Sequence, residues 1–123
     1  MNPLPPLAGL QVLLVEDEAI IALGLQSALE QAGAHAVSLA HTVAQAMTLL
    51  DRPSFDVAVL DFRLERETSI PVAARLTQLN IPYLFHTSAP GEPAALHPGI
   101  PIMDKPTRPE QLIAAIAALV AKR

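Results

Sequence analysis

Glu16 and Asp17 close an apolar run, Val12-Leu13-Leu14-Val15, and Asp61 closes a second, Val57-Ala58-Val59-Leu60. Lys105 follows a third run, Ile100-Pro101-Ile102-Met103, after one intervening residue. Acids and a lysine at the ends of separate buried strands predict one site at one edge of a sheet. Carboxylates gathered at roughly 4–5 Å repel by about 3–4 kcal/mol per pair at an effective dielectric near 20. A hard divalent cation relieves that repulsion, and Mg²⁺ is typically held by one or two carboxylates together with phosphate oxygens. Metal-assisted phosphate chemistry is therefore the first expectation.

Each of these residues also has a plainer reading. Asp61 alone could cap a turn. Glu16, Asp17 and Glu18 could be the acidic first turn of a helix, favoured by its dipole. The two readings of the acidic run are compatible, because Asp17 can open a helix and still face a metal.

The elements that must position these groups follow from the pattern. Apolar or β-branched runs fall near 10–16, 34–39, 55–60, 82–86 and 100–103, with helical periodicity near 18–32, 43–51, 70–79 and 108–121. Such alternation predicts an α/β fold with a five-stranded parallel sheet covered by helices on both faces. Strands as continuously apolar as Val57 to Leu60 fit burial on both sides.

Thr42 with Gln45, and Thr107 with Glu110, have capping-box spacing. Pro109 suits a first helical turn, and Gly33 is placed to end the first helix. Leu112, Ile113, Ile116, Leu119 and Val120 form the apolar stripe of the last helix. Between Ala89 and Pro101, Pro90, Gly91, Pro93, Pro98 and Gly99 leave room for only a short helix around Glu92 to Leu96.

Composition narrows the function. At 123 residues the chain is read as one domain over 10–123, preceded by an extended Pro-rich tail over 1–9. A net charge of −4 gives no electrostatic basis for direct DNA binding. The chain has no cysteine, which excludes disulfides, zinc–thiolate sites and thiol catalysis. No secretory leader or membrane span is evident, so a cytoplasmic location is expected.

Taken together, "VLLVEDE" at 12–18, "VAVLDFRL" at 57–64, "IPYLFHTS" at 81–88 and "MDKP" at 103–106 resemble the receiver domain of two-component response regulators. The resemblance covers nearly the whole chain. It implies a doubly wound, flavodoxin-like (βα)5 fold with strand order 2-1-3-4-5. It also implies that Asp61 accepts a phosphoryl group from a sensor histidine kinase or a histidine phosphotransfer protein. Mg²⁺, or Mn²⁺, would be held by Glu16, Asp17, Asp61 and the backbone carbonyl of Arg63, with Asp17 direct and Glu16 through water. Lys105 and the Thr87 hydroxyl would stabilise the phosphoryl oxygens, and the Lys105–Pro106 bond would be cis.

The receiver pattern is altered downstream of Thr87. The stretch from Thr87 to Lys105 is short, so the fourth helix is expected to be reduced or remodelled, and Ile102 stands where an aromatic switch residue is usual. Phe85-His86-Thr87-Ser88 partly matches the Phe-Ala-Thr-Gly of the alphaproteobacterial "FAT GUY" single-domain receivers. The loop after Asp61 lacks the usual Pro-Gly. The Arg63 side chain is either solvated or able to reach the phosphoryl group or Glu16. His86 is either a strand-end residue or one that tunes the site. His35, His41 and His97 are read as surface or strand-end residues. Ile20 and Leu23, off the core stripe of the first helix, are expected to dock the kinase helices, and the alanine-rich last helix offers a further partner surface.

The expected function is that of a stand-alone phosphorelay receiver with no attached effector region. It would act by contact with a downstream protein, or as a phosphate sink, and it would not be a metabolic enzyme. Two alternatives stay open. One is a pseudo-receiver that binds partners without phosphorylation. The other is a Mg²⁺-dependent phosphohydrolase, which the lack of a cap domain and of an acid/base aspartate at position 63 disfavours.

Overall fold

A computed structural model describes residues 3–52 and 54–122. Five strands form one parallel sheet: β1 (Gln11–Val15), β2 (Ala36–Ala40), β3 (Val57–Leu60), β6 (Tyr83–Thr87) and β7 (Ile102–Asp104). Their spatial order is β2-β1-β3-β6-β7. Counting sheet strands alone, this is the expected 2-1-3-4-5 order of a flavodoxin-like fold. Five helices connect them: α1 (Ala19–Gln31), α2 (Val43–Leu50), α3 (Ile70–Gln78), α4 (Gly91–Leu96) and α5 (Pro109–Ala121).

Strand alternation divides the core into two halves. Leu13, Val15, Ala58 and Leu60 pack with Ala46, Leu50, Val72 and Leu76 on one face. Val12, Leu14, Val57 and Val59 pack with Leu25, Leu29, Leu112 and Ile116 on the other. β1 and β3 are covered on both sides, which explains their unbroken apolar runs.

Several local expectations are corrected. The stretch 1–9 is not extended throughout, for residues 6–9 form a turn. Leu7 is fully buried, and its N–H donates to Ala32 O at 2.9 Å. Gly33 ends α1 with φ +106°, and a Cβ there would lie 2.6 Å from Pro5 Cβ. That close approach, as well as the positive φ, selects glycine.

Thr42 caps α2 by accepting from Gln45 N–H at 3.1 Å, but Gln45 Oε1 accepts from His41 N–H at 2.7 Å, one residue earlier than in a capping box. The box expected at Thr107 and Glu110 does not form. Arg108 is the N-cap of α5, and the Thr107 hydroxyl donates to Asp104 O.

A two-stranded hairpin, β4 (Arg63–Leu64) with β5 (Glu67–Thr68), follows Asp61 and was not expected. It is fastened to α2, where Val43 N–H donates to Glu67 Oε2 at 3.0 Å. This bond satisfies one of the helix's free N-terminal donors. No helix of the described residues is long and apolar enough to cross a membrane.

Candidate functional site

The sheet's register assembles the site. Val15 pairs with Leu60, Leu60 with Phe85, and Phe85 with Ile102. One step past the strands the backbone ladder continues. Glu16 N–H donates to Ala40 O, Asp61 N–H to Val15 O, and Lys105 N–H to Thr87 O, each at 2.9 Å. Residues distant in sequence are thereby held by main-chain bonds at one carboxyl edge, where ligands of open α/β sheets sit.

At that edge Lys105 Nζ donates to Glu16 Oε1 at 2.6 Å and to Asp61 Oδ2 at 2.9 Å. Both acids are buried, Glu16 at 2 % and Asp61 at 6 % exposure. One ammonium thus serves two carboxylates. Burial opposes Glu16's charge, yet the Lys105 hydrogen bond and the Glu18 N–H hold its pKa below the usual value. Asp61 is left with the weaker share. Burial above all, with the negative charge of Glu16 added, outweighs Lys105 and raises its pKa to about 6. Burial also works against the Lys105 ammonium, but its two carboxylate partners keep its pKa above the ordinary value. The Lys105–Pro106 peptide is cis.

Oxygen donors for a metal are present. The carboxylates of Glu16, Asp17 and Glu18 offer oxygens within 4.8 Å of one another. Glu18 is exposed and joins this cluster in place of the more deeply set Asp61. Burial and the neighbouring Glu16 raise the Asp17 pKa. Each Glu16 oxygen has a partner, since its Oε1 accepts from Lys105 and its Oε2 from Glu18 N–H at 3.2 Å.

Arg63 pairs with Thr68 across the hairpin, and Ser69 N–H donates to Phe62 O at 2.9 Å. The alternation of an antiparallel ladder makes Arg63–Thr68 the pair without mutual hydrogen bonds, so the Arg63 carbonyl turns away from β5. The donor set, all oxygens including one backbone carbonyl turned away from its ladder, suits a hard cation such as Mg²⁺.

Thr87 is fully buried, and its Oγ1 accepts from Ala89 N–H at 3.1 Å, which leaves the hydroxyl proton to donate elsewhere. His86, next along β6, points to the opposite face and is 5 % exposed. Its Nε2 has no hydrogen-bond partner among the described residues. Burial and then the Lys105 charge lower its pKa below the ordinary value.

Ile20 and Leu23 are 87 % and 59 % exposed. Ile20 lines an apolar groove of about 600 Å³ with Ile21, Gly24, Pro106 and Pro109, which opens beside Lys105 and His86; Leu23 lies outside that lining.

The Arg63 side chain reaches neither Glu16 nor Asp61. It donates from Nε to Glu92 Oε1 at 3.0 Å and from NH2 to Oε2 at 2.6 Å. His97 is half-buried, with its ring turned into the core. Its ring packs on Phe85 at 5.1 Å and on Phe62 at 6.3 Å, and its buried Nε2 has no partner among the described residues. Neither Glu92 nor His97 carries a sequence signal, since each meets a partner more than ten residues away. His41 also adjoins the site, with Nδ1 2.9 Å from Glu16 O.

Residues 12–117 match the family model described as the response regulator receiver domain. Over 114 residues the chain is 32% identical to the alginate biosynthesis transcriptional regulatory protein AlgB of Pseudomonas putida, covering 87% of this chain and 25% of that protein. The chain thus spans about a quarter of the length of the curated relatives it matches. A response regulator receiver protein from Sinorhizobium medicae superposes with a TM-score of 0.84 at 29% identity, covering 92% of this chain and 95% of that one. The response regulator PhyR from Brucella abortus superposes with a TM-score of 0.81 over 94% of this chain and 49% of that one; at 24% identity this likeness concerns the fold alone.

Proposed function

The chain belongs to the response regulator receiver family, and on that premise we propose that Asp61 accepts a phosphoryl group from a phosphohistidine on a sensor kinase or phosphotransfer protein. The observation that carries this reading is the single Lys105 ammonium shared between Glu16 and Asp61 at the sheet edge. Lys105 holds Asp61 Oδ2, which leaves Oδ1 to attack phosphorus. The phosphorus–nitrogen bond of the donor breaks as the phosphorus–oxygen bond to Asp61 forms, and the imidazole departs.

With a pKa of about 6, Asp61 is mostly ionised at pH 7 and so is a competent nucleophile. Lys105 is placed to follow the developing charge on the transferred group, and the Thr87 proton is available to another of its oxygens. Such positioning and charge stabilisation make up most of phosphoryl-transfer catalysis.

Asp17, Asp61 and the Arg63 carbonyl would hold Mg²⁺, or Mn²⁺, directly. Glu16, with both oxygens already engaged, would act through water. When bound, the cation supplies neutralisation of the phosphate oxygens. Ile20 and the adjoining groove support a helical docking partner there, and Leu23 extends that exposed apolar surface. His86 and Arg63 are proposed to tune the site.

Incubation with acetyl phosphate and Mg²⁺ should add the mass of one phosphoryl group, and Asp61→Asn should abolish the gain. A gain retained in that variant overturns the assignment. The second reading, a binding module independent of phosphorylation, is favoured by the six-residue α4 and by Ile102; absence of any gain in the unaltered chain would select it.

A further inference from the structure

We propose that Arg63 is a reserve ligand for the phosphoryl group, and that Glu92 is a positioning residue that holds it on α4 until Asp61 is loaded. This rests on the phosphoacceptor reading above.

Arg63 stands two residues after Asp61, and its carbonyl turns away from the hairpin partner. Its guanidinium fork grips both oxygens of Glu92, the geometry by which arginine also grips phosphate. The two ligands differ in charge. Glu92 offers one negative charge, whereas a phosphoryl group on Asp61 offers roughly two. The clasp is also open to exchange, because the Arg63 and Glu92 side chains are 60 % and 41 % exposed and exposed ion pairs are weak. The phosphoryl group is therefore the stronger competitor.

Release of Arg63 would act on α4. This helix has six residues and, among the described residues, no side-chain N-cap bond. Its first turn carries the buried Pro93 and, beside it, Glu92, which the exposed clasp holds. Its far end is fastened differently, by the His97 ring against Phe62 and Phe85. Loss of the clasp loosens the first turn, leaving Pro93 as its buried contact, while the His97 end stays anchored. Phosphorylation would then be reported by α4 without an aromatic residue at position 102.

Thermodynamic linkage fixes the sign of the test. If Glu92 competes for Arg63, removing its charge favours the loaded state; a merely structural Glu92 would not tighten loading. The full chain would be titrated with beryllofluoride and Mg²⁺, with loading followed by fluorine NMR. E92Q should bind beryllofluoride about two- to five-fold tighter than the unaltered chain, and R63Q about two- to five-fold weaker. The double variant should match R63Q, because the two changes act through one contact.

In the unaltered chain the Arg63 Nε–H resonance should shift on loading, and amide exchange in the first turn of α4 should rise. Loading with unchanged affinity in E92Q, or with a stationary Arg63 Nε–H, overturns the clasp and spares the phosphoacceptor reading. No bound fluorine signal in the unaltered chain overturns that reading and the clasp with it.

Discussion

The carboxyl edge of the sheet and the α4 segment beside it are built on opposite principles. At the chemical edge, Glu16, Asp61 and Lys105 are held by main-chain bonds that extend the sheet register, and their charges meet away from water. At the α4 edge, a helix of six residues is fastened by an exposed ion pair, the buried Pro93 and the contacts of the His97 ring with Phe62 and Phe85. The first arrangement fixes geometry, because a strand that slipped by one residue would exchange its side chains between the two packed halves of the core. The second holds its element loosely enough to be moved by one added charge. A receiver needs both: rigid placement where phosphorus is attacked and a weakly held element where the result is read.

The contrast is most exposed at Lys105. Lys105→Met leaves Glu16 and Asp61 buried without a counter-charge, and should cost about 3 kcal/mol in Mg²⁺-free buffer. Urea unfolding would measure it, and an unchanged midpoint would mean that Lys105 does not compensate the two buried acids.

Asp61 gives the next largest effect, with opposite sign. Its pKa is raised from 3.8 to about 6, so the folded state prefers the protonated acid. The resulting cost is absent below about pH 4, grows as pH rises toward 6, and is fully present at pH 7. Asp61→Asn should therefore stabilise the Mg²⁺-free protein at pH 7 by about 2 kcal/mol, and the gain should fade as pH falls through that window. A gain independent of pH would point to packing instead.

The smallest effect concerns the α4 anchor. His97→Phe keeps the ring contacts and removes a buried nitrogen that has no partner among the described residues. It should raise stability by about 1 kcal/mol. A loss of stability in thermal unfolding would show that the nitrogen has a role the ring packing does not account for.

The chemical edge was far more legible in the sequence than the α4 edge. Runs such as Val12–Val15 and Val57–Leu60 state that their strands are buried, and the acid after each run must then emerge at an edge. α1 and α5 were legible from stripes at helical period. The hairpin after Asp61 was not, because Arg63-Leu64 and Glu67-Thr68 are too short to show alternation. The burial of Leu7 was hidden in a proline-rich stretch, since the core cluster it joins, with Leu29, Leu112 and Ile116, is distant in sequence, as is Ala32, which accepts its N–H. The capping box at Thr107 failed because Arg108 became the N-cap and the hydroxyl turned back to Asp104.

The sequence alone determined the alternation of strand and helix, the acid-and-lysine set, and a short fourth helix, because local periodicity, proline and glycine act within a few residues. Only the tertiary structure decided that one lysine would serve two acids, that Glu16 rather than Asp61 would take the larger share of it, and that Arg63 would face Glu92. Those outcomes depend on the distances and burial of groups far apart in the chain, and charge interactions follow distance and solvent access rather than sequence order.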